Sequence, residues 1–309
     1  MAIAQSGVGL IERCADGDAI LAVRARDSQA KLDKVAGIGA DVVIVDLEDA
    51  VAPPAKPTAR MLAKSFLEAH GQQILAGGGF ARWVRINPLD TPLWREDLAA
   101  VMPAHPDGIL VPKAAGPDQL QVLAAELHGL EQRHAAPTGS TRMLPMVGET
   151  PAAALGITSY LAATQARLAG LTWGAEDLSA AIGAGRKRDS GGEWSDAFRF
   201  VRAQVLLTAH ARGVMPIDTL HADFRDLAAL ERIATDSHAD GFAGMLAIHP
   251  EQVPVINAAF TPGEAEIAQA RAIVNAFSAH PGAGALELDG RMIDQPHLDQ
   301  ARRLLERLR

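Results

Sequence analysis

Short apolar runs rich in valine and isoleucine recur along the chain, separated by longer stretches rich in alanine and leucine. The runs are AILAV (19–23), DVVIVDLE (41–48), RWVRIN (82–87), GILVPK (108–113), RMLPMVGE (142–149), GLTWGAED (170–177), VMPIDT (214–219) and GMLAIHP (244–250). Near-continuous apolar runs are expected of strands covered on both faces. From the second run onward each closes on a polar marker: Glu48, Asn87, Lys113, Glu149, Asp177, Asp218 and His249, 26 to 41 residues apart. A crossover helix with its loops needs about a dozen residues or more, so every interval has room for one. Eight strands alternating with helices predict an α/β fold, a (β/α)8 barrel. An open doubly wound sheet is the competing arrangement, because strand count does not show closure. Runs that start apolar and finish polar favour the barrel, whose reactive groups gather at the C-terminal strand ends.

After Pro250 the pattern changes. Residues 263–280 read as an amphipathic helix, 282–294 as a hairpin around Asp289-Gly290, and the stretch after Pro296 as a last helix. The expected organisation is an N-terminal segment (1–18), a barrel (19–260) and a C-terminal extension (261–309).

Composition narrows the functions. Of 309 residues 48% are hydrophobic and 21% charged, ordinary for a protein with a large core. A net charge of −8 argues against nucleic acid as the main partner, which requires a basic footprint. Cys14 is the only cysteine, so no internal disulfide is possible and a cysteine-based zinc site is not expected. There is no apolar run of 18 residues and no signal-peptide pattern, so neither a membrane partner nor export is expected, and a cytoplasmic setting fits. No G-x-G-x-x-G turn opens a strand–helix unit, so a dinucleotide site is not supported.

The chemistry-bearing candidates sit at the polar ends. Glu149 and Asp177 close neighbouring runs. Adjacent strands lie about 5 Å apart, so the two carboxylates are placed either to share a Mg2+ with several waters or to stand as separate solvated strand ends. DLED (46–49) adds Asp46, Glu48 and Asp49. Asp46 and Glu48 point the same way, as partners for neighbouring basic side chains or as supports for a metal site. Arg85 lies within an apolar run and needs an acidic partner or a substrate anion. Lys113 is a second cation at a strand end; a Schiff-base role is conceivable, but a lysine among several acids more often stays protonated. His249 is either a hydrogen-bonded structural residue or a ligand, and the basic, glycine-rich 183–194 is either a loop near an anionic substrate or a solvated one.

Taken together, DVVIVDLEDAV, VRINPLDTPLWREDL, GILVPK, Glu149-Thr150, LTWGAEDLSAAIG, GVMPIDTLHADFRDL, GFAGMLAIHPEQVPVINAAFTP and LDGRMIDQPHLDQARRLL resemble the citrate lyase beta-subunit-like proteins of the HpcH/HpaI aldolase/citrate lyase family, over roughly residues 20–309. The resemblance implies a TIM barrel, Mg2+ held by Glu149 and Asp177, and Arg85 at the keto-acid portion of the substrate. Lys113, Glu48 and Asp49 join Arg85 as expected substrate-binding residues. It implies a homotrimer in which the C-terminal hairpin and helix cap a neighbour and carry Asp294 to that neighbour's site as acid/base. The implied reaction is cleavage of a 3-hydroxyacyl-CoA of malyl-, citramalyl- or citryl-CoA type into an acyl-CoA and a 2-oxo acid, with the metal as Lewis acid and template. A CoA-independent hydroxy-oxo acid aldolase and a weakly active subunit of a lyase complex are the alternatives. Two departures stand out: Arg24 and Arg26 where the family's first strand ends in Val-Pro-Gly or Val-Pro-Ala, and Gly148 where a bulkier residue is common.

Overall fold

The computed structural model describes residues 18–24, 37–71, 79–162 and 165–308. Residues 1–17, with Cys14, and Arg26 lie outside the described residues, as does the side chain of Arg24.

All eight apolar runs are strands: β1 (Asp18–Arg24), β2 (Val42–Asp46), β3 (Ala81–Arg85), β4 (Gly108–Ala114), β5 (Arg142–Val147), β6 (Gly170–Trp173), β7 (Met215–Asp218) and β8 (Gly244–Ala247). They pair in parallel and in sequence order, and β1 pairs with both β2 and β8. From β2 to β8 the continuous apolar character follows from burial on both faces. Val42 and Ile44 of β2 join Trp83, Leu110, Leu144, Met146, Ile217 and Leu246 in an inner cluster. The alternate residues Val43 and Val45 join an outer cluster with helix residues such as Phe66, Leu123, Phe198 and Ile256. This is the two-residue period of a pleated strand, with each fully buried aliphatic side chain contributing roughly 1.5–3 kcal/mol.

The helices between strands are α1 (Lys56–Ala69), α2 (Leu93–Val101), α3 (Pro117–Arg133), α4 (Pro151–Leu155), α5 (Ala175–Ile182), α6 (Asp196–Arg212) and α7 (Leu227–Asp240), with α8 (Gln252–Phe260) after β8. In α3, Leu120, Leu123, Leu127 and Leu130 are buried, a stripe at helical spacing that seats the helix on the sheet.

Most of the polar tails predicted as strand ends lie instead in the loops and helix starts beyond the strands. β5 stops at Val147, before Glu149, and β6 stops at Trp173. Asp177 therefore does not end a strand; it is in the first turn of α5. A Gly-Ala-Glu-Asp tail satisfies its backbone better by starting a helix, where acidic residues also oppose the positive end of the helix dipole.

The C-terminal residues form α9 (Glu264–Ala279), β9 (Ala285–Leu288), β10 (Arg291–Asp294) and α10 (Gln295–Arg307). β9 and β10 pair antiparallel across Asp289-Gly290, whose φ values of 51° and 74° suit a tight hairpin turn. Ala270, Ile273, Phe277, Ile293, Leu298, Ala301 and Leu304 give this extension an apolar cluster of its own.

Candidate active site

The charged residues meet where β2 to β6 end. Asp46, the last residue of β2, takes both Nε and Nη2 of Arg85 from β3, at 2.8 and 2.6 Å. Glu48 accepts from Lys113 Nζ at 2.9 Å and lies 3.2 Å from Arg85 Nη1. Asp49 accepts from the same lysine at 2.8 Å. Asp46 and Glu48 thus do point the same way, onto one guanidinium. Burial works against the charged form of Arg85, but Asp46 and Glu48 outweigh it and hold the guanidinium more firmly protonated than usual. Lys113 behaves alike: its bonds to Asp49 and Glu48 overcome partial burial and raise its pKa. That favours a fixed ammonium over an amine nucleophile. Partial burial alone would raise Asp49; Lys113 and Arg85 bring its net value below the usual carboxylate range.

Glu149 differs from these. It is 2% exposed, and its carboxylate accepts the backbone N–H of Lys113. The register shift of β4 against β5 after Val111, with Lys113 at φ 50°, turns that N–H toward it. Among the described residues no lysine or arginine forms an ion pair with Glu149. Burial first, then the charges of Asp177 and Glu48, push its pKa up to about 8 against the N–H of Lys113 and the charge of Arg85. Asp177 stands on the rim, 39% exposed and 3.8 Å from Lys113 Nζ.

Two glycines make room for this arrangement. Gly148 has φ 78°, and a Cβ there would lie 2.7 Å from Val201. A glycine at this position is therefore a requirement of the backbone. A Cβ on Gly174 would lie 2.7 Å from Cγ of Glu149 and closer still to its carboxylate, so the start of α5 closes over Glu149 only because residue 174 has no side chain.

These observations test the site against a divalent cation. A buried, negatively surrounded carboxylate without a side-chain cation is costly unless a counter-charge joins it, and Mg2+ is commonly held by one or two carboxylates with water and substrate oxygens. Glu149 and Asp177 fit that chemistry. Among the described residues no group of three or more His, Cys, Asp or Glu could hold a metal, which leaves the two-carboxylate arrangement.

Other markers have structural partners. Asp218 is buried and accepts from Trp173, Arg202, Ser237 and the N–H of Thr219 at 2.6–2.9 Å. Asn87 joins Lys56, at 2.6 Å, to Asp97, also at 2.6 Å, behind the site. His249 stacks on Phe224 with ring centroids 4.8 Å apart. In 183–194, Arg188 sits 3.6 Å over Trp194, whose ring packs edge-on against Trp173, so this loop is anchored beside β6. Asp294 is not brought to the other candidates. It caps α10 and meets Nδ1 of His297 at 2.6 Å.

Gly174 and Asn87 are the contributions hardest to see from the residues alone. The signal for Gly174 is its place directly before an acidic helix start; for Asn87 it is the asparagine after an apolar run within reach of Lys56.

The molecule is thus an α/β protein with a carboxylate site suited to a divalent cation at the C-terminal ends of parallel strands. The family model HpcH/HpaI aldolase/citrate lyase matches residues 24–250. A citrate lyase subunit beta-like protein of Mycobacterium tuberculosis is 33% identical over 272 residues, 88% of this chain and 89% of that one. An L-malyl-CoA/beta-methylmalyl-CoA lyase of Rhodobacter capsulatus is 32% identical over 289 residues, 88% of each. The crystal structure of CitE from M. tuberculosis in complex with magnesium, acetoacetate and coenzyme A superimposes with a TM-score of 0.75 at 32% identity, covering 95% of this chain and 98% of that one. The chain belongs to the HpcH/HpaI aldolase/citrate lyase family.

Proposed function

We propose that this protein is a Mg2+-dependent carbon–carbon lyase that cleaves a 3-hydroxyacyl-CoA of malyl-, citramalyl- or citryl-CoA type to an acyl-CoA and a 2-oxo acid. The observation that carries the reading is Glu149, buried beside Asp177 and Glu48 and, among the described residues, in no ion pair with a lysine or arginine, in a family whose members include a malyl-CoA lyase. Glu149 and Asp177 would hold the metal, which when bound would supply Lewis acidity for the cleavage.

The chain's own residues have separate tasks. Asp46 occupies the Nε–Nη2 edge of Arg85, so this arginine does not clamp a substrate carboxylate with that edge. It acts instead as a fixed positive charge where the oxyanion develops. Lys113 holds Glu48 and Asp49 in place and adds a second cation at the mouth. Asp294 from a neighbouring copy is the acid/base, moving a proton to or from the α-carbon of the acyl thioester.

That assignment needs a homotrimer or a multiple of it, with residues 261–309 capping the neighbour. The separate apolar cluster of the extension and the half-exposed Asp294 support it. The body, 19–260, is read as a (β/α)8 barrel, supported by the pairing of β1 with both neighbours. Among the described residues no helix is long and apolar enough to cross a membrane, in keeping with a cytoplasmic setting.

The test is a panel of 3-hydroxyacyl-CoAs with the purified protein and Mg2+, with chelator controls. Release of acyl-CoA and oxo acid is expected. No turnover on any member would overturn the reading, and turnover of free hydroxy-oxo acids alone would replace it with a CoA-independent aldolase. A solution mass of one protomer would remove Asp294 from the site.

A further inference from the structure

A cavity of about 280 Å3 opens at the other end of the sheet, where the strands begin, lined among others by Arg142, Leu168, Ala169, His210, Met215 and Ala243. Arg142 is the first residue of β5 and shares the alternation of Leu144 and Met146, which lie in the inner cluster. Its Nη2 donates to the carbonyl of Leu168 at 3.2 Å, while its Nε is buried and has no hydrogen-bond partner. The adjacent Arg167 is neutralised by Glu131 at 2.5 and 2.7 Å. Arg142 has no such acid among the described residues; burial and the charge of Arg167 both disfavour its cation. A guanidinium does not lose its proton in a protein, so an uncompensated positive charge faces the cavity.

The rest of the lining is mainly small and apolar. Ala169 and Ala243 leave the space open, and Leu168 and Met215 give it apolar walls. A guanidinium favours a planar carboxylate, and the apolar walls favour a hydrocarbon tail over a fully hydrated inorganic anion. The volume lies near the lower end of ligand sites, about 300 Å3, which fits a short chain. We propose that this cavity is a second ligand site, taking a small monocarboxylate with its charge on Arg142 and its chain against Leu168, Ala169, Met215 and Ala243. The site stands apart from Glu149 and Asp177, so its occupancy needs no metal.

Isothermal titration of the desalted full-length protein with butyrate, in the absence of metal, tests this, with acetate and inorganic phosphate as comparisons. Butyrate should saturate one site per chain and bind more tightly than either comparison. Losing a charge-assisted hydrogen bond should weaken binding to Arg142→Gln by about tenfold or more. Ala243→Leu fills the cavity without touching the charge and should give a similar loss, with circular dichroism checking that both variants fold. Glu149→Gln, at the opposite end, should leave the isotherm unchanged. The proposal is overturned by absence of saturable butyrate binding, by phosphate binding as tightly as butyrate, by binding that survives both cavity variants, or by loss with Glu149→Gln.

Discussion

Glu131 and Glu149 are buried to nearly the same degree, 0% and 2% exposed, and their surroundings are opposite. Glu131, on α3, receives both terminal nitrogens of Arg167 and the N–H groups of Gly139 and Thr141. Burial alone would raise its pKa, but these partners bring it below the ordinary range. Glu149 receives the N–H of Lys113, and the nearest acids help push its pKa up. Burial therefore does not by itself set the state of an acid. The difference is that the described residues give Glu131 an ion-pair partner and give Glu149 none.

The comparison breaks most visibly in activity. Several kcal/mol of transition-state stabilisation depend on a bound metal, so Glu149→Gln should lower turnover of the cleaved CoA ester by about 10³-fold. The chelator-treated variant should melt no lower than the parent, because a neutral amide replaces a carboxyl that, below about pH 8, is itself neutral in the metal-free protein, and above that pH it removes a buried charge that faces other acids. Steady-state kinetics and thermal melts check both halves. A variant that melts several degrees lower and keeps its turnover would make Glu149 a structural acid like Glu131.

Glu131→Gln should do the reverse. It strands the buried Arg167, which costs about 3–5 kcal/mol of stability, while kcat and KM of the folded fraction stay unchanged. Denaturant unfolding and kinetics on the same preparation separate the two effects. Unchanged stability would mean that Arg167 finds another partner and that the pairing matters less than its geometry suggests.

How far the sequence carries this contrast differs between fold and site. All eight strands can be placed, because strands covered on both faces, such as Val42–Asp46, buried at every position, read as mainly apolar runs. Period and composition are local properties and survive without coordinates. The sides of the contrast are not local. Arg167 meets Glu131 across 36 positions, and Arg85 meets Asp46 across 39; the first pair depends on how a helix packs beside a distant loop, the second on the parallel register of β2 and β3. The capture of one edge of Arg85 by Asp46 is one of two readings that the sequence leaves open. Asp177 reads as a strand end because its run continues without a break, whereas the chain turns into α5 after Trp173. Asp294 gains a role only through family resemblance, and its contacts within one chain are those of a helix cap.

The contrast sharpens at Gly174, which touches Glu149 and has no counterpart at Glu131. A Cβ there would meet the side chain of Glu149 and push its carboxylate out of position. Misplacing a group that orients a metal ligand costs about 10–100-fold in affinity. Gly174→Ala should therefore weaken Mg2+ binding by that factor in a calorimetric titration, with the fold intact by circular dichroism. Unchanged affinity would show that Glu149 has room to shift and still bind.

The smallest effect is in the pH dependence of stability, where the two glutamates carry opposite signs. In the metal-free protein, burial and then the charges of Asp177 and Glu48 raise Glu149 from its ordinary value of 4.5 to about 8. Between those values the folded chain holds a proton that the unfolded chain has released. The stabilisation from this group is complete below about pH 4.5 and is lost as pH rises through about 8. If Glu149 holds Mg2+ as proposed, the metal takes the ionised carboxylate and its binding releases a proton near pH 7, so the rise in Tm on adding Mg2+ should be larger at pH 8.5 than at pH 6. Glu131 has a lowered pKa, so its contribution is present above the ordinary glutamate range and fades only as the solution becomes acid; it stays flat between pH 6 and 8.5. Calorimetric scans with Mg2+ and with chelator at the two pH values read the difference directly. Glu149→Gln should flatten the pH dependence of the Mg2+ effect while Glu131→Gln leaves it in place, and a Mg2+ effect equal at both pH values would mean that Glu149 is already ionised in the metal-free protein and that its surroundings supply more positive charge than its contacts indicate.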